Sequence, residues 1–117
     1  MNDCGMVKMN LNSLVDDGIL AFSIGDELKA KELLSSAINF DPHFLPALRA
    51  IAEVSLSLDE LDQAEEFCRR ALSENENDLA STVSLARILV KKGDKVGAEE
   101  ASAKARILGW KEELSSE

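Results

Sequence analysis

Three pairs of alanines recur in this chain at one fixed interval. Ala30 and Ala37, Ala64 and Ala71, and Ala98 and Ala105 are each seven residues apart, and each pair follows the last by 34 residues. Gly18, Ala52 and Ala86 keep the same interval, as do the turn pairs Gly25-Asp26, Asp59-Glu60 and Gly93-Asp94. A period of 34 marks stacked helix–turn–helix units. One such unit cannot bury its apolar face alone, and stacking supplies the cover. The period fixes an architecture and is silent about a partner.

Aligned units fill 11–44, 45–78 and 79–112 of the 117 residues, which predicts one domain with a flexible segment at 1–10 and a tail at 113–117. Three units are about the minimum for a continuous core in such a stack. Each unit reads as two helices of about 14 residues, roughly 21 Å long. The expected helices cover 11–24, 27–40, 45–58, 61–74, 79–92 and 95–108. Asp26 and Asp78 stand where a carboxylate can cap the following helix. Asp41-Pro42 stops one helix, because proline lacks a donor and restricts the residue before it. Pro46 is tolerated in a first turn, and Gly109 is expected to end the last helix. Gly18 is expected to pack on Ala30, and Ala52 and Ala86 on Ala64 and Ala98, so that antiparallel helices approach closely.

The first unit reads Leu14-x2-Asp17-Gly18-x2-Ala21, then Ala30-x3-Leu34, Ala37 and Pro42. The second reads Leu48-x2-Ile51-Ala52-x2-Ser55, Ala64-x3-Cys68 and Ala71. The third reads Thr82-x2-Leu85-Ala86-x2-Leu89, Ala98-x3-Ser102 and Ala105. This pattern resembles the tetratricopeptide repeat, Trp-x2-Leu-Gly-x2-Tyr, Ala-x3-Phe and Pro. The resemblance implies an all-α, right-handed superhelical solenoid of three repeats. It departs from the pattern at Glu76 and Trp110, which stand where the proline falls, and at Asp17. It also lacks a full seventh helix. Leu108, Trp110 and Leu114 are the apolar residues left to cover the last helix, and Trp110 is expected to fold back on that face or to join two copies as a homodimer.

Composition narrows the function classes. The formal net charge of −9 opposes nucleic-acid binding, since a phosphate backbone calls for a basic face. Residues 11–44 carry six acids and two bases, residues 45–78 nine and three, and residues 79–112 four and seven. That gradient reads as a solvated surface or as a charge axis that steers a partner or a second copy. Cys4 and Cys68 make no disulfide framework, and Cys68 reads as a small buried hydrophobe. The start lacks the basic and apolar regions of a signal peptide. No stretch of about 18 apolar residues is present to span a membrane. A reducing cytoplasm is therefore the expected location.

No catalytic, metal or cofactor site is expected. His43 is the one histidine and has only Asp41 near it in sequence. No nucleophile motif, phosphate loop or Cys-x2-Cys pair occurs. The acid pairs Glu65-Glu66 and Glu99-Glu100 read as solvated outer faces.

In the family it resembles, the first helix of each repeat lines a concave groove. That places Val15, Ile19 and Phe22, then Arg49, Glu53 and Leu56, then Val83, Arg87 and Val90 in the groove, flanked among others by Pro46 and Ala50. The bland alternative packs some of them against neighbouring helices and pairs Arg49 with Glu53 at i,i+4. Family members that clamp a peptide carboxylate use lysine, asparagine and arginine, where this chain has Val15, Ile19, Ala50, Ala80 and Ser84. The resemblance thus implies a non-catalytic adaptor that binds a protein segment, either an amphipathic helix or an extended apolar peptide. Self-assembly of copies, end to end or as a dimer, is the rival, and a third reading is one repeat domain of a longer protein.

Overall fold

The computed structural model describes residues 4–115, with side chains from Asn10 onward. Six helices follow in order: α1 Cys4–Ser23, α2 Glu27–Phe40, α3 Leu45–Ser57, α4 Leu61–Glu74, α5 Leu79–Lys92 and α6 Lys95–Ser115. They pair as α1/α2, α3/α4 and α5/α6, and the first helices meet along one side, α1 on α3 and α3 on α5. The fold is the expected all-α solenoid of three helix pairs.

The turns have local causes. Asp26 accepts from Lys29 N at 3.2 Å and starts α2, and Asp78 accepts from Ser81 N at 3.1 Å and starts α5. Gly25 and Gly93 turn the chain with φ of 89° and 83°, a region that costs glycine nothing. Asp59 fills the same register position between them with φ 63°. Aspartate tolerates this conformation better than most side chains.

Small residues set the crossings. Ala30, Ala37, Ala47, Ala64 and Ala71 are all fully buried. The side chain nearest Gly18 across the crossing is Leu34. A Cβ there would lie 2.8 Å from Leu34 Cγ, so the missing side chain admits a leucine from the next helix. α3 is enclosed on most sides. Its Leu48, Ile51 and Val54 join a core with α1 and α2, while its Ala52 and Leu56 join a second core with α4, α5 and α6. A helix apolar around most of its circumference belongs at such a centre.

The helix ends differ from the sequence expectation. α1 already begins at Cys4, ahead of Leu11, and α6 runs past Gly109 to Ser115. The expected segments 1–10 and 113–117 lie partly outside the described residues. Gly109 does not terminate the helix because it is followed by Trp110, Lys111, Glu112 and Glu113, with no proline to break the turn. Trp110 does not fold back: it is 66% exposed, and Leu108 is the residue of that group that packs inward. On a continuous helix the two positions point nearly opposite ways. Ala105 is only half-buried, whereas its counterparts Ala37 and Ala71 are covered by a following repeat.

Candidate functional site

The first helices bring together part of the expected groove. Ile19 and Phe22 of α1 face Pro46, Arg49, Ala50 and Glu53 of α3 across a cleft of about 330 Å³, floored by Leu34 and Val54. Ile19 is 49% exposed and Phe22 is half-buried. Phe22 and Ala50 rest on the first core, so the cleft wall is anchored in the fold.

Other expected groove residues lie elsewhere. Val15 and Leu56 are buried in the two cores and present almost no surface. The cause is the contact between successive first helices, which covers positions that a single amphipathic helix would expose. Val83 and Val90 remain exposed but do not line the cleft. Val90 opens instead onto the end of the stack, a depression of about 500 Å³ shared with Gly93, Lys95, Ala98, Glu99, Ser102 and Arg106. Phe22, Leu56 and Val90 share one register position, and Val90 is the most exposed of the three.

The charged groove residues pair with α5 and its N-cap rather than with each other along α3. Arg49 donates from Nε to both carboxylate oxygens of Asp78 at 3.0 Å, with a further Nη2 contact. Asp78 also takes the Ser81 hydroxyl. Burial would push the Asp78 carboxyl up, but the hydrogen bonds from Arg49 and Ser81 outweigh it and hold it below the usual carboxylate range. The same hydrogen bond to Asp78 raises the Arg49 guanidinium against its own desolvation. Glu53 accepts from Ser84 at 2.5 Å and from Arg87 at 3.1 Å and 3.2 Å. The alternative i,i+4 pair between Arg49 and Glu53 does not form, because Arg49 binds Asp78, the N-cap of α5, and Glu53 binds Ser84 and Arg87 on α5. The signal that could have found this is spacing: Glu53 and Arg87 are opposite charges one repeat, 34 residues, apart.

The bases of α5 are spent in the same way. Besides Arg87, Lys91 lies 3.9 Å from Asp59, and Lys92 reaches Asp62 at 2.7 Å and Glu65 at 2.8 Å. Hydrogen bonds from Lys92 and then Arg69 hold the Glu65 carboxyl below its ordinary value, so Glu65 is not simply solvated. The α5 part of the charge gradient is thus an internal join between repeats two and three. Between the first two repeats, Lys31 donates to Glu60 at 2.8 Å and 2.9 Å, and Ser57 meets Glu27. His43 sits exposed in its turn, with Nδ1 2.7 Å from Glu74 and its backbone N–H donating to Asp41. Cys68 is buried, and desolvation pushes its thiol up to about 12. Among the described residues no group of three potential metal ligands occurs, and no helix is long and apolar enough to cross a membrane.

Comparison with known proteins agrees with the geometry. The tetratricopeptide repeat family model matches residues 22–83, just over half of the chain. The chain belongs to the tetratricopeptide repeat family. No curated protein matches the sequence. Among solved structures, the crystal structure of MamA superposes with a TM-score of 0.81 at 22% identity, over 85% of this chain and 58% of MamA. The chain thus spans a little over half of that relative. The second repeat domain of Spaghetti (RPAP3), bound to the HSP90 peptide SRMEEVD, gives 0.83 at 19% identity, over 86% of this chain and 94% of that one. PcrH in complex with the chaperone binding region of PopD gives 0.82 at 20% identity, over 86% and 76%. Identities this low establish the shared fold.

Proposed function

We propose that this chain is a non-catalytic interaction scaffold that takes an apolar protein segment into the cleft between α1 and α3. The observation that carries the reading is the half-exposed pair Ile19 and Phe22 facing Pro46 and Ala50, with Leu34 beneath. Structurally similar proteins hold peptides or protein segments, as the HSP90 and PopD complexes state. Here the rim charges Arg49 and Glu53 are already paired within the chain, so apolar anchors supply most of the affinity. An amphipathic helix or an extended peptide offers such anchors at regular spacing. The absence of nucleophile and ligand motifs in the sequence supports a binding role over catalysis. An unpaired buried thiol at Cys68 suits the reducing cytoplasm.

Burying an anchor against Phe22 is worth about 1.5–3 kcal/mol, roughly ten- to a hundredfold in affinity. Peptides selected from a random library on the immobilised protein supply the probe. Their amide shifts are expected on α1 and α3 around Ile19, Phe22 and Ala50, and Phe22→Ser is expected to weaken them strongly with helicity kept. Shifts confined to the outer faces of α2, α4 and α6, with Phe22→Ser binding normally, overturn the assignment.

A further inference from the structure

The two ends of the stack carry matching features that the cleft does not use. At the far end, α6 presents Ile107, Trp110 and Leu114 on one face at 51%, 66% and 72% exposure. The spacing of three and four residues makes a continuous stripe. From residue 104 to 111 the charges are all basic, namely Lys104, Arg106 and Lys111. None of them has an ion-pair partner among the described residues, unlike the bases of α5.

The near end is its complement. Leu11, Leu14 and Phe40 wall a hollow of about 350 Å³ with Asp17 at its rim. Phe40 is 71% exposed, and Leu20 on α1 and Ile24 just past its end add exposed apolar surface at 60% and 74%. Residues 11–24 carry two acids, Asp16 and Asp17, and no base. Both acids also lack an ion-pair partner among the described residues.

From this complementarity we infer that the α6 stripe docks on the α1–α2 hollow of a second copy, head to tail. Trp110 enters the hollow between Leu14 and Phe40. Its indole N–H faces the free Asp17 carboxylate, which can only accept. Lys104 and Lys111 lie over the acids of α1. A tryptophan inserted into an apolar pocket, with charges around it, is the usual composition of an interface centre. The contact is not a continuation of the solenoid. On the face that a fourth repeat would cover, Ser102 and Arg106 stand where Leu34 and Ile38, and Cys68 and Leu72, stand in the earlier repeats. Lys95, Glu99, Ser102 and Arg106 line that end depression together with Val90 and Ala98, whereas the α6 stripe beside it is apolar. Knob and hollow lie on different parts of one molecule, so the contact leaves a free end on each pair and does not close at two.

Sedimentation velocity over a concentration series tests this, with emission of the only tryptophan as a second reading. The weight-average sedimentation coefficient is expected to rise steadily past that of a dimer, and the emission to shift to the blue. Lys104→Glu with Lys111→Glu, and separately Asp16→Lys with Asp17→Lys, are expected to stay monomeric with unchanged helicity. An equimolar mixture of the two variants restores opposite charges at every contact and is expected to associate again. Trp110→Ala, at an exposed site, is expected to be a folded monomer. A parent chain that stays monomeric, or a mixture that fails to associate, overturns the proposal. A species that stops at two points to a symmetric α6 pairing and overturns it too. So does association that Trp110→Ala leaves intact.

Discussion

Arg49 on α3 holds the carboxylate that starts α5: Asp78 accepts from Arg49 Nε at 3.0 Å while its other contacts, to Ser81 N at 3.1 Å and the Ser81 hydroxyl, cap the helix. One side chain therefore fixes both where α5 begins and how it lies on α3. Asp78 is 6% exposed, so removing its charge leaves Arg49 and the first-turn donors of α5 without a partner.

Asp78→Ala is accordingly expected to destabilise the chain by about 1–3 kcal/mol, the range for a lost cap combined with a lost charged hydrogen bond. The effect has a pH signature. The folded Asp78 carboxyl is held below its ordinary value, so its contribution is complete above the unfolded value of about 3.9 and fades as pH falls toward the folded value. Urea unfolding at neutral pH and near pH 3 checks this. The gap between parent and variant should narrow in acid, and a constant gap would remove the electrostatic explanation.

Ser55 makes the opposite case. It is fully buried in α3, and its hydroxyl has no hydrogen-bond partner among the described residues. A buried polar group without a partner costs about 1–3 kcal/mol. Ser55→Ala removes the hydroxyl and improves helix propensity, at the expense of a very small void. The variant is expected to be at least as stable as the parent, with a gain up to about 1 kcal/mol. Chemical denaturation measures it, and a loss larger than that would mean the hydroxyl is satisfied in solution.

The repeat register was legible because each close crossing demands a small residue and the demand recurs every 34 positions. Gly18, Ala52 and Ala86 announce three crossings at once, and the boundaries of α2, α4 and α5 fall where the turn residues place them. The groove was only partly legible. Val15, Ile19 and Phe22 form one stripe in sequence, yet Val15 is core while Ile19 is open, because a neighbouring first helix covers one edge of the stripe. Arg49 and Glu53 look like a local pair, but Arg49 bonds the N-cap Asp78 and Glu53 bonds Arg87 of α5, 29 and 34 residues away, where no local pattern points. Trp110 was misplaced for a related reason. An expectation that apolar residues cover the last face gave no weight to the helix phase, which carries Trp110 away from Leu108.

Cys68 gives a chemical check on the core. Attack on a disulfide reagent needs the thiolate, and burial raises the Cys68 thiol to about 12. The native chain is therefore expected to leave Cys68 unmodified by a thiol reagent at neutral pH, with modification appearing in denaturant. A Cys4→Ser background isolates the signal. Rapid native modification at neutral pH would show that α4 opens on the timescale of the reaction.

Two glycines should respond to the same substitution with opposite signs. At Gly18 a new Cβ would lie 2.8 Å from Leu34 Cγ and 2.9 Å from Leu34 Cδ2, inside the first core. Leu34 is fully buried, so it has no free space to retreat into. Overpacking of this kind costs about 1–3 kcal/mol, more than the helix propensity that alanine returns. At Gly109 a new Cβ meets nothing within 4 Å, and the residue lies inside α6. There the propensity gain stands alone, about 0.8–1 kcal/mol in a helix interior and less where an end frays. Gly18→Ala is thus expected to lower the denaturation midpoint and Gly109→Ala to raise it, with unchanged slopes. If Gly109→Ala also lowered it, the chain near 109 would not be helical in solution, and the Trp110 stripe on α6 would lose its geometric basis.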